Sequence, residues 1–134
     1  MIQLKNKPVH IFDVGHNAEG VTAFVKSFQS RYPGKKARIL TGFVKRKEHQ
    51  LMFNQLAKIA ERYAITPLST KRTIDVDELL NTLDFKGIPI SSFKSLGAAY
   101  NNLLKNCSTD DILIILGSHY LVGEFFKRYK IRWR

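Results

Sequence analysis

Residues 111–116, read as DILIIL, decide the fold, and Gly117-Ser118-His119-Tyr120 follows them directly. The apolar run from Ile112 to Leu116 cannot alternate between a core face and a solvent face. A strand of this composition is therefore expected to be buried on both sides, as in parallel sheets that are covered by helices. The glycine and serine that follow suit a tight turn into a helix. This unit predicts an α/β architecture.

The alternation of apolar runs and helical periods continues outward from this unit. Val21, Val25 and Phe28 recur at helical spacing, and Asp75 with Glu78 resembles a capping box at the start of a helix. Further strands are predicted at residues 9–12, 37–43, 63–66 and 88–91. The pattern predicts a three-layer, Rossmann-like α/β fold with a mostly parallel sheet of five to six strands and helices on both faces. It does not determine the order of the strands.

The length and composition indicate one ordinary globular domain, residues 1–134. No apolar run approaches the roughly 20 residues that a membrane span needs. The polar, basic start of the chain lacks the apolar segment of a signal peptide. A single cysteine, Cys107, cannot form an internal disulfide, which favours a cytoplasmic location and gives no support to a thiolate metal site.

The net charge of +11 is less ordinary. Such an excess of lysine and arginine favours polyanionic partners: nucleic acid, a phosphorylated ligand or an acidic neighbouring domain. The cations are scattered along the chain and are densest at residues 45–47 and 127–134. Charge alone leaves two interpretations open, a solvated basic surface and a functional anion site.

The residues that directly follow the predicted strands carry the candidate chemistry. Ligands of parallel sheets bind beyond the carboxyl ends of the strands, so these loops should share one rim. The loops contain Asp13-Val14-Gly15-His16-Asn17, residues 42–47, Lys71 with Arg72, and Gly117-Ser118-His119-Tyr120. Their imidazoles, hydroxyls and cations suit an anionic ligand. Lys47 lies near a helix start, where a cation is unfavourable unless an anion is present.

The same residues also have structural interpretations. Asn17 and Ser118 stand where they can cap the helices that follow. Gly15 and Gly117 suit tight turns. Asp13 is harder to explain by structure alone, because a carboxylate at the end of an apolar strand must find partners.

Several familiar sites are absent from the sequence. Gly15 and Gly20 are not followed by Lys-Ser or Lys-Thr, so they form no P-loop, and the glycine spacing does not match the dinucleotide fingerprint. Ser118 lacks the surrounding elbow of a hydrolase. The four histidines do not show the spacing of a metal site, so no metal ligand is predicted.

Four motifs resemble the C-terminal domain of folylpolyglutamate synthases, which are ATP-dependent ligases of the Mur ligase superfamily. The stretch from Asp13 to Ala18, with Gly20, is similar to the family's Asp-x-Ala/Gly-His-Asn-Pro signature. Residues 117–124, GSHYLVGE, are similar to its Gly-Ser-x-Tyr-x-x-Gly-Glu signature. Residues 42–48 resemble its Gly-x-x-x-Asp-Lys-Asp turn, and Arg72 stands where the family has an arginine. The four motifs occur in the family's order over nearly the whole chain.

The sequence departs from the family pattern at three positions. Ala18 replaces the usual proline, a change of little consequence at a helix start. Arg46 replaces the first acid of the Asp-Lys-Asp turn, so no role of that acid can be carried over. His119 occupies a position that is usually apolar or aromatic.

The resemblance implies a fold and an activity. Family members use ATP to phosphorylate a folate carboxylate, and the amine of L-glutamate then attacks the acyl phosphate. Some bacterial members also make dihydrofolate from dihydropteroate. This domain would contribute to nucleotide and glutamate binding at an interdomain cleft. The family fold has six strands, and we expect the strand beyond the five predicted here near the C-terminus.

The resemblance also implies site residues. Those that would bind the nucleotide are Asp13, His16 and Asn17. Those that would bind L-glutamate are Lys47, Ser118, Tyr120 and Arg72. The two with expected catalytic roles are His16 and Ser118.

The same resemblance distinguishes a parent enzyme from this domain. The P-loop and magnesium ligands of the family belong to an N-terminal ATPase domain, which is not found in residues 1–134. ATP and Mg²⁺ are therefore expected as cofactors of the parent ligase, with neither held firmly by this domain alone. The partners implied are that ATPase domain, ATP, L-glutamate and folate, with no membrane. The isolated domain is expected to be inactive.

Two alternatives remain. The first is the C-terminal domain of a peptidoglycan Mur ligase, although these usually carry threonine or histidine where Asn17 stands. The second is a basic nucleic-acid-binding α/β module, which needs aromatic side chains among the cations of an exposed face. Among the aromatic residues, only Tyr32, Phe93 and Trp133 are readily expected to be exposed, which argues against nucleic acid as a partner.

Overall fold

The structure is a computed structural model that describes the backbone of residues 2–4 and, in full, residues 8–42, 48–68 and 75–130. The strands are β1 (Ile2–Leu4), β2 (Val9–Asp13), β3 (Ala37–Gly42), β4 (Ala60–Ile65), β5 (Ile90–Ser92) and β6 (Ile112–Gly117). The helices are α1 (Ala18–Arg31), α2 (His49–Leu56), α3 (Val76–Thr82), α4 (Leu96–Leu104) and α5 (His119–Arg128).

The six strands form one sheet in the order β1-β2-β6-β3-β4-β5. All neighbours are parallel except β1, which pairs antiparallel with β2 at the edge. The strand predicted from DILIIL is the centre of this arrangement, since β6 lies between β2 and β3. Every residue of β6 is buried, as a strand covered on both faces requires.

Each face of the sheet has its own apolar core. Side chains of α1, α2 and α3 pack on one face, around Ile39 and Ile114. Side chains of α4 and α5 pack on the other face, around Leu40 and Leu113. Successive side chains of one strand thus pack into opposite cores, because side chains alternate between the two faces of a sheet. The predicted three-layer α/β class is confirmed.

The sixth strand lies at the N-terminus, so the expectation of a strand near the C-terminus was wrong. Ile2, Gln3 and Leu4 pair with Phe12, Ile11 and His10 of β2. A three-residue edge strand carries almost no pattern of its own, and its order comes from the neighbour with which it pairs. The other predicted strands are confirmed with shifted ends: β2 includes Asp13, β4 begins at Ala60, and β5 covers Ile90–Ser92.

Arg38 holds the amino ends of the strands to the end of α4. Its guanidinium donates to the carbonyl oxygens of Leu103 and Lys105, both at 2.8 Å, and to the Glu61 carboxylate at 3.0 Å. Asp111 lies 3.6 Å away as a second acidic partner. A cation at a helix C-terminus is favourable, and this one satisfies carbonyls that the helix itself leaves unpaired. None of the helices in the described ranges is long and apolar enough to cross a membrane.

Candidate ligand site at the carboxyl ends of the strands

The central strand β6 leads into a different layer from both of its neighbours. The chain leaves β2 and β3 for helices on one face, whereas it leaves β6 for α5 on the other face. Such a divergence opens a crevice at the carboxyl ends of the strands, where ligands of open α/β sheets bind. The register places Asp13 and Thr41 on either side of Leu116, and Gly42 beside Gly117. The loops that follow these three strands therefore begin side by side at one edge of the sheet, as predicted.

The turn after β2 is organised by side chains that bond to nearby backbone. The Asp13 carboxylate accepts a hydrogen bond from the Gly15 N–H at 3.0 Å. The Asn17 side-chain oxygen accepts from the Gly20 N–H at 2.8 Å, so Asn17 is the N-cap of α1. The structural role predicted for Asn17 is confirmed. Asp13 is only half-buried, and both residues lie at the carboxyl end of β2.

Glu48 joins two of the predicted motifs, and sequence reasoning assigned it no role. Its carboxylate accepts a hydrogen bond from the Ala18 N–H at 3.2 Å, at the start of α1. A negative charge there complements the positive end of the helix. The acid of the second motif thus positions the turn that contains Asp13, His16 and Asn17. The sequence did contain a signal for this role, because Glu48 is the last residue of the stretch that resembles the Gly-x-x-x-Asp-Lys-Asp turn.

Two glycines allow the ends of β3 and β6 to approach closely. A Cβ atom on Gly117 would collide with the carbonyl oxygen of Gly42. A Cβ atom on Gly42 would lie 2.5 Å from the Thr66 carbonyl oxygen and 3.0 Å from the Leu68 side chain. The carboxyl ends of β6, β3 and β4 therefore approach closely, with no room for side chains at Gly42 and Gly117.

Ser118 has the position of an N-cap without the hydrogen bond of one. It precedes α5, but its hydroxyl accepts no hydrogen bond from the helix. The side chain is 3% exposed, and its Oγ has no hydrogen-bond partner in the part of the chain that the structure describes. A buried polar group without a partner costs roughly 1–3 kcal/mol. Capping therefore does not account for this serine.

The remaining described candidates lie on the surface of the rim. His16 is exposed, and its Nδ1 lies 3.1 Å from the Val14 carbonyl oxygen. Tyr120 is 36% exposed, and the His119 ring stacks on it with a centroid separation of 4.5 Å. Together these rings form an exposed aromatic surface beside the buried Ser118. The other two candidates, Lys47 and Arg72, lie outside the described residues.

The described rim offers no set of metal ligands. Residues 8–42, 48–68 and 75–130 contain no group of three or more His, Cys, Asp and Glu side chains that could hold a metal ion. The donors that converge at the rim are single carboxylates, a hydroxyl and imidazoles, several of which already bond to backbone. This donor set fits hydrogen bonding to a polar ligand better than metal coordination.

Apolar side chains are exposed around the same rim. Within the described residues, the large hydrophobic side chains that are most exposed are Val14 at 47%, Leu51 at 56% and Tyr120 at 36%. Val14 follows β2, Leu51 lies in the first turn of α2, and Tyr120 lies in the first turn of α5. The strand end and the two helix starts that carry these side chains all lie at the carboxyl edge of the sheet. Exposed apolar side chains grouped in this way are typical of an interaction surface.

Comparison with known families and proteins agrees with this fold. The family model described as the Mur ligase, glutamate ligase domain matches residues 1–119. The dihydrofolate synthase/folylpolyglutamate synthase of Haemophilus influenzae is 27% identical over 134 aligned residues, which cover 93% of this chain and 30% of that protein. The chain thus spans about a third of the length of this relative.

Solved structures share the fold at lower identity. The bifunctional folylpolyglutamate synthase/dihydrofolate synthase of Yersinia pestis, complexed with AMPPNP and Mn, superposes with a TM-score of 0.83 at 19% identity, covering 97% of this chain and 30% of that one. The folylpolyglutamate synthase of Mycobacterium tuberculosis, complexed with ADP and AMPPCP, superposes with a TM-score of 0.87 at 14% identity, covering 99% and 32%. The chain belongs to the Mur ligase glutamate ligase domain family, and the relatives it resembles are folylpolyglutamate synthases.

Proposed function

We propose that this chain is the glutamate-presenting domain of an ATP-dependent ligase that adds L-glutamate to folate, with dihydrofolate synthesis as a further activity of the parent enzyme. Its task is to hold the nucleotide and the amino acid at the carboxyl edge of the sheet. The reaction joins the amine nitrogen of glutamate to an activated carboxyl carbon, and phosphate leaves as the C–N bond forms. Positioning the amine close to that carbon is the contribution that such a domain can make.

The observation that carries the proposal is the buried hydroxyl of Ser118 at the start of α5, which has no hydrogen-bond partner among the described residues. The first turn of a helix presents backbone N–H groups without internal partners, and these favour an anion. A glutamate carboxylate at this point would satisfy both the helix N-terminus and the hydroxyl. The position between β2 and β3, at the crevice beside β6, also supports this assignment.

The other roles follow from this placement. Asp13, His16 and Asn17 line the side of the crevice that we assign to the nucleotide, with Asp13 accepting from ribose hydroxyls. Because Asn17 already caps α1, its contribution is to fix the turn rather than to contact the ligand. Tyr120 flanks the glutamate side, together with Lys47 and Arg72, whose cationic groups suit its carboxylates. His16 and Ser118 are the proposed catalytic pair, since both would touch the reacting molecules.

The proposal requires a second domain. The Yersinia pestis relative carries AMPPNP and Mn, and another structure of a bifunctional folylpolyglutamate synthase/dihydrofolate synthase carries Mn, AMPPNP and L-glutamate. No described residues of this chain fit a metal site, so we assign the metal ion and the γ-phosphate to an N-terminal ATPase domain. Val14, Leu51 and Tyr120 form the apolar surface on which that domain would dock. The isolated chain should therefore bind ligands weakly and catalyse no ligation.

Nucleic-acid binding is less well supported. Tyr32 is half-buried and packs on Phe28 at a ring separation of 5.2 Å. Phe93 is also half-buried, against the core of α4 and α5. These side chains are not free to stack on bases, and Trp133 lies outside the described residues.

A chimeric enzyme tests the proposal. The segment of the Haemophilus influenzae relative that aligns with this chain is replaced by residues 1–134, and ATP-dependent incorporation of radiolabelled L-glutamate into folate is measured. We expect incorporation, and we expect Ser118→Ala to reduce it about tenfold to a hundredfold, since a hydrogen bond to a charged group is lost. Thr41→Val serves as the matched control because it removes another buried hydroxyl and should leave incorporation unchanged. A chimera that folds and binds ADP but incorporates no glutamate would overturn the proposal.

A further inference from the structure

A second crevice opens at the carboxyl edge of the sheet, between β4 and β5. The chain leaves β4 for α3 on one face and leaves β5 for α4 on the other. This is the same divergence that marks the crevice beside β6, and it is a favoured place for ligands. A cleft of about 770 Å³ lies here, between the first turn of α4 and the C-terminal half of α5. Its volume is in the range of small-molecule binding sites.

The walls of the cleft carry an excess of positive charge. Lys94, Lys127 and Arg128 line it, and none of them forms an ion pair with a carboxylate of the described residues. Glu124 is the acidic residue of the lining, and its carboxylate offsets part of this positive charge. Three cations and one carboxylate around one concave surface leave an excess of positive charge among the described residues, which favours an anion.

Arg128 lies in the last turn of α5, where a cation is favourable, but its guanidinium reaches the start of another helix. A Cβ atom on Gly97 would lie 2.5 Å from an Arg128 guanidinium nitrogen, so the guanidinium rests against the first turn of α4. That turn is the positive end of the helix dipole, where a cation is repelled and an anion is attracted. Lys94 lies just before the same turn. An anion in the cleft would neutralise both the side chains and the helix end.

Gly123 lines the cleft and has no packing reason to be glycine among the described residues. It lies inside α5, where glycine is a poor helix former. A Cβ atom on Gly123 would have no atom within 4 Å, so nothing in the described protein requires its absence. The empty space belongs to the cleft that Gly123 lines. A ligand that uses this space would account for the glycine.

The cleft lies next to the proposed glutamate site. Leu68 lines the cleft, and its side chain also approaches Gly42 at the end of β3. Gly42 in turn pairs with Gly117, directly before Ser118. The buried Leu68 side chain thus separates the cleft from the carboxyl ends of β3 and β6 by a single residue.

We propose that this basic cleft, defined by Lys94, Gly123, Lys127 and Arg128, binds the acidic γ-glutamyl tail of the growing substrate. The inference rests on the proposed function. Each cycle consumes one carboxylate of the acceptor and adds two carboxylates with the incoming glutamate, so the tail gains one negative charge per cycle. The reacting end must sit at the Ser118 crevice, and the glutamyl residues before it need a basic path beside that crevice. The cleft supplies this path.

Binding of penta-γ-L-glutamate to the full chain tests the inference. Affinity and backbone chemical shifts are measured at low salt for wild type, for Lys94→Ala/Lys127→Ala and for the control Lys26→Ala/Lys35→Ala. The control removes the same charge from exposed residues in and after α1. We expect shifts at Gly97 and Gly123, about tenfold weaker binding in the cleft variant, and unchanged binding in the control. Equal losses in both variants would show attraction by net charge alone and would overturn the inference.

Two further comparisons sharpen the test. Gly123→Leu retains every charge and introduces a better helix former, so we expect weaker peptide binding with no loss of melting temperature. Unchanged binding in this variant would contradict the proposed path. Tripolyphosphate tests a phosphate ligand, and strong shifts in the cleft with tripolyphosphate but none with the peptide would overturn the assignment to carboxylates. If L-glutamate still shifts Ser118 while the peptide fails to bind the cleft, only this inference falls and the proposed function stands.

Discussion

The Ala18 N–H donates a hydrogen bond to the Glu48 carboxylate across 3.2 Å, and this contact ties the turn after β2 to the beginning of α2. Ala18 is the first residue of α1, and Glu48 is the N-cap residue of α2. One side chain of the second motif therefore fixes the backbone of the first. The rim is held together by such contacts between loops, which makes its geometry sensitive to single substitutions.

Replacement of Glu48 should weaken this connection. We expect Glu48→Ala to lower the free energy of unfolding by about 1 kcal/mol, because α1 loses both a hydrogen bond and a favourable charge at its N-terminus. Glu48→Gln, which retains an acceptor oxygen, should cost less. Chemical denaturation provides the measurement, with Asp110→Ala as the control at an exposed acid. Equal stability of Glu48→Ala and wild type would show that the contact contributes nothing.

Arg38 should be the most costly cation to replace among those that the structure describes. Arg38→Lys cannot reproduce a fork that reaches the carbonyls of Leu103 and Lys105 together with Glu61. We expect a loss of about 2–4 kcal/mol in the free energy of unfolding, since buried acceptors are left unsatisfied. Arg31→Lys, at an exposed position in the last turn of α1, should change it by less than about 0.5 kcal/mol. Similar effects in the two variants would contradict this account of Arg38.

His10 should make stability depend on pH. Burial lowers the pKa of His10 below its ordinary value of 6.5. The two ring nitrogens lie 2.8 Å from the Pro8 carbonyl oxygen and 2.7 Å from the Tyr100 hydroxyl. Because the folded pKa is the lower one, the unfolded chain binds the proton more tightly. The contribution to stability is thus present above pH 6.5 and is lost as the pH falls through the folded pKa.

Denaturation from about pH 7 to about pH 5 measures this effect. Wild type should lose more stability over the interval than His10→Gln, which has no titrating group at this position. The two slopes should converge above the ordinary histidine pKa, where both states are neutral. Parallel curves over the whole interval would rule out His10 as the source of the pH dependence.

Removal of the buried hydroxyls of Thr41 and Ser118 should have similar effects on stability but different effects on L-glutamate binding. Neither Thr41 Oγ1 nor Ser118 Oγ has a hydrogen-bond partner among the described residues. Thr41→Val and Ser118→Ala should each leave the melting temperature unchanged or raise it, corresponding to up to about 1 kcal/mol. Only Ser118→Ala should weaken L-glutamate binding, because only Ser118 begins the helix that faces the crevice. A loss of glutamate binding in both variants would indicate a general disturbance of the rim.

Local sequence patterns were sufficient to predict the layers of the fold. The apolar run of β6 required burial on both faces, and the helical stripe of α1 required a core beneath it. The Asn17 and Asp75 caps were also readable, because each bonds to backbone two or three residues away. The order of the strands could not be read from the sequence, because packing over the whole chain decides that β6 pairs between β2 and β3.

The sequence predicted which residues follow the strands at the candidate site, but not the contacts between them. Its residues lie directly after strands, and any parallel sheet brings such positions to one edge. The contact between Glu48 and Ala18 spans 30 residues and leaves no local pattern. The missing cap at Ser118 runs against local preference, because a serine before a helix usually bonds to it. Such a departure from the local rule is expected where a ligand, rather than the fold, requires the residue.

The most direct test of the central claim is residue-resolved chemical-shift mapping of the labelled chain, titrated first with ADP and then with L-glutamate at moderate salt. We predict that ADP shifts cluster at Asp13 and His16 and that glutamate shifts cluster at Lys47 and Ser118, even if both affinities are millimolar. An absence of shifts on this rim, with salt-sensitive shifts of residues 127–134 on addition of an oligonucleotide, would contradict the assignment of this domain to glutamate ligation.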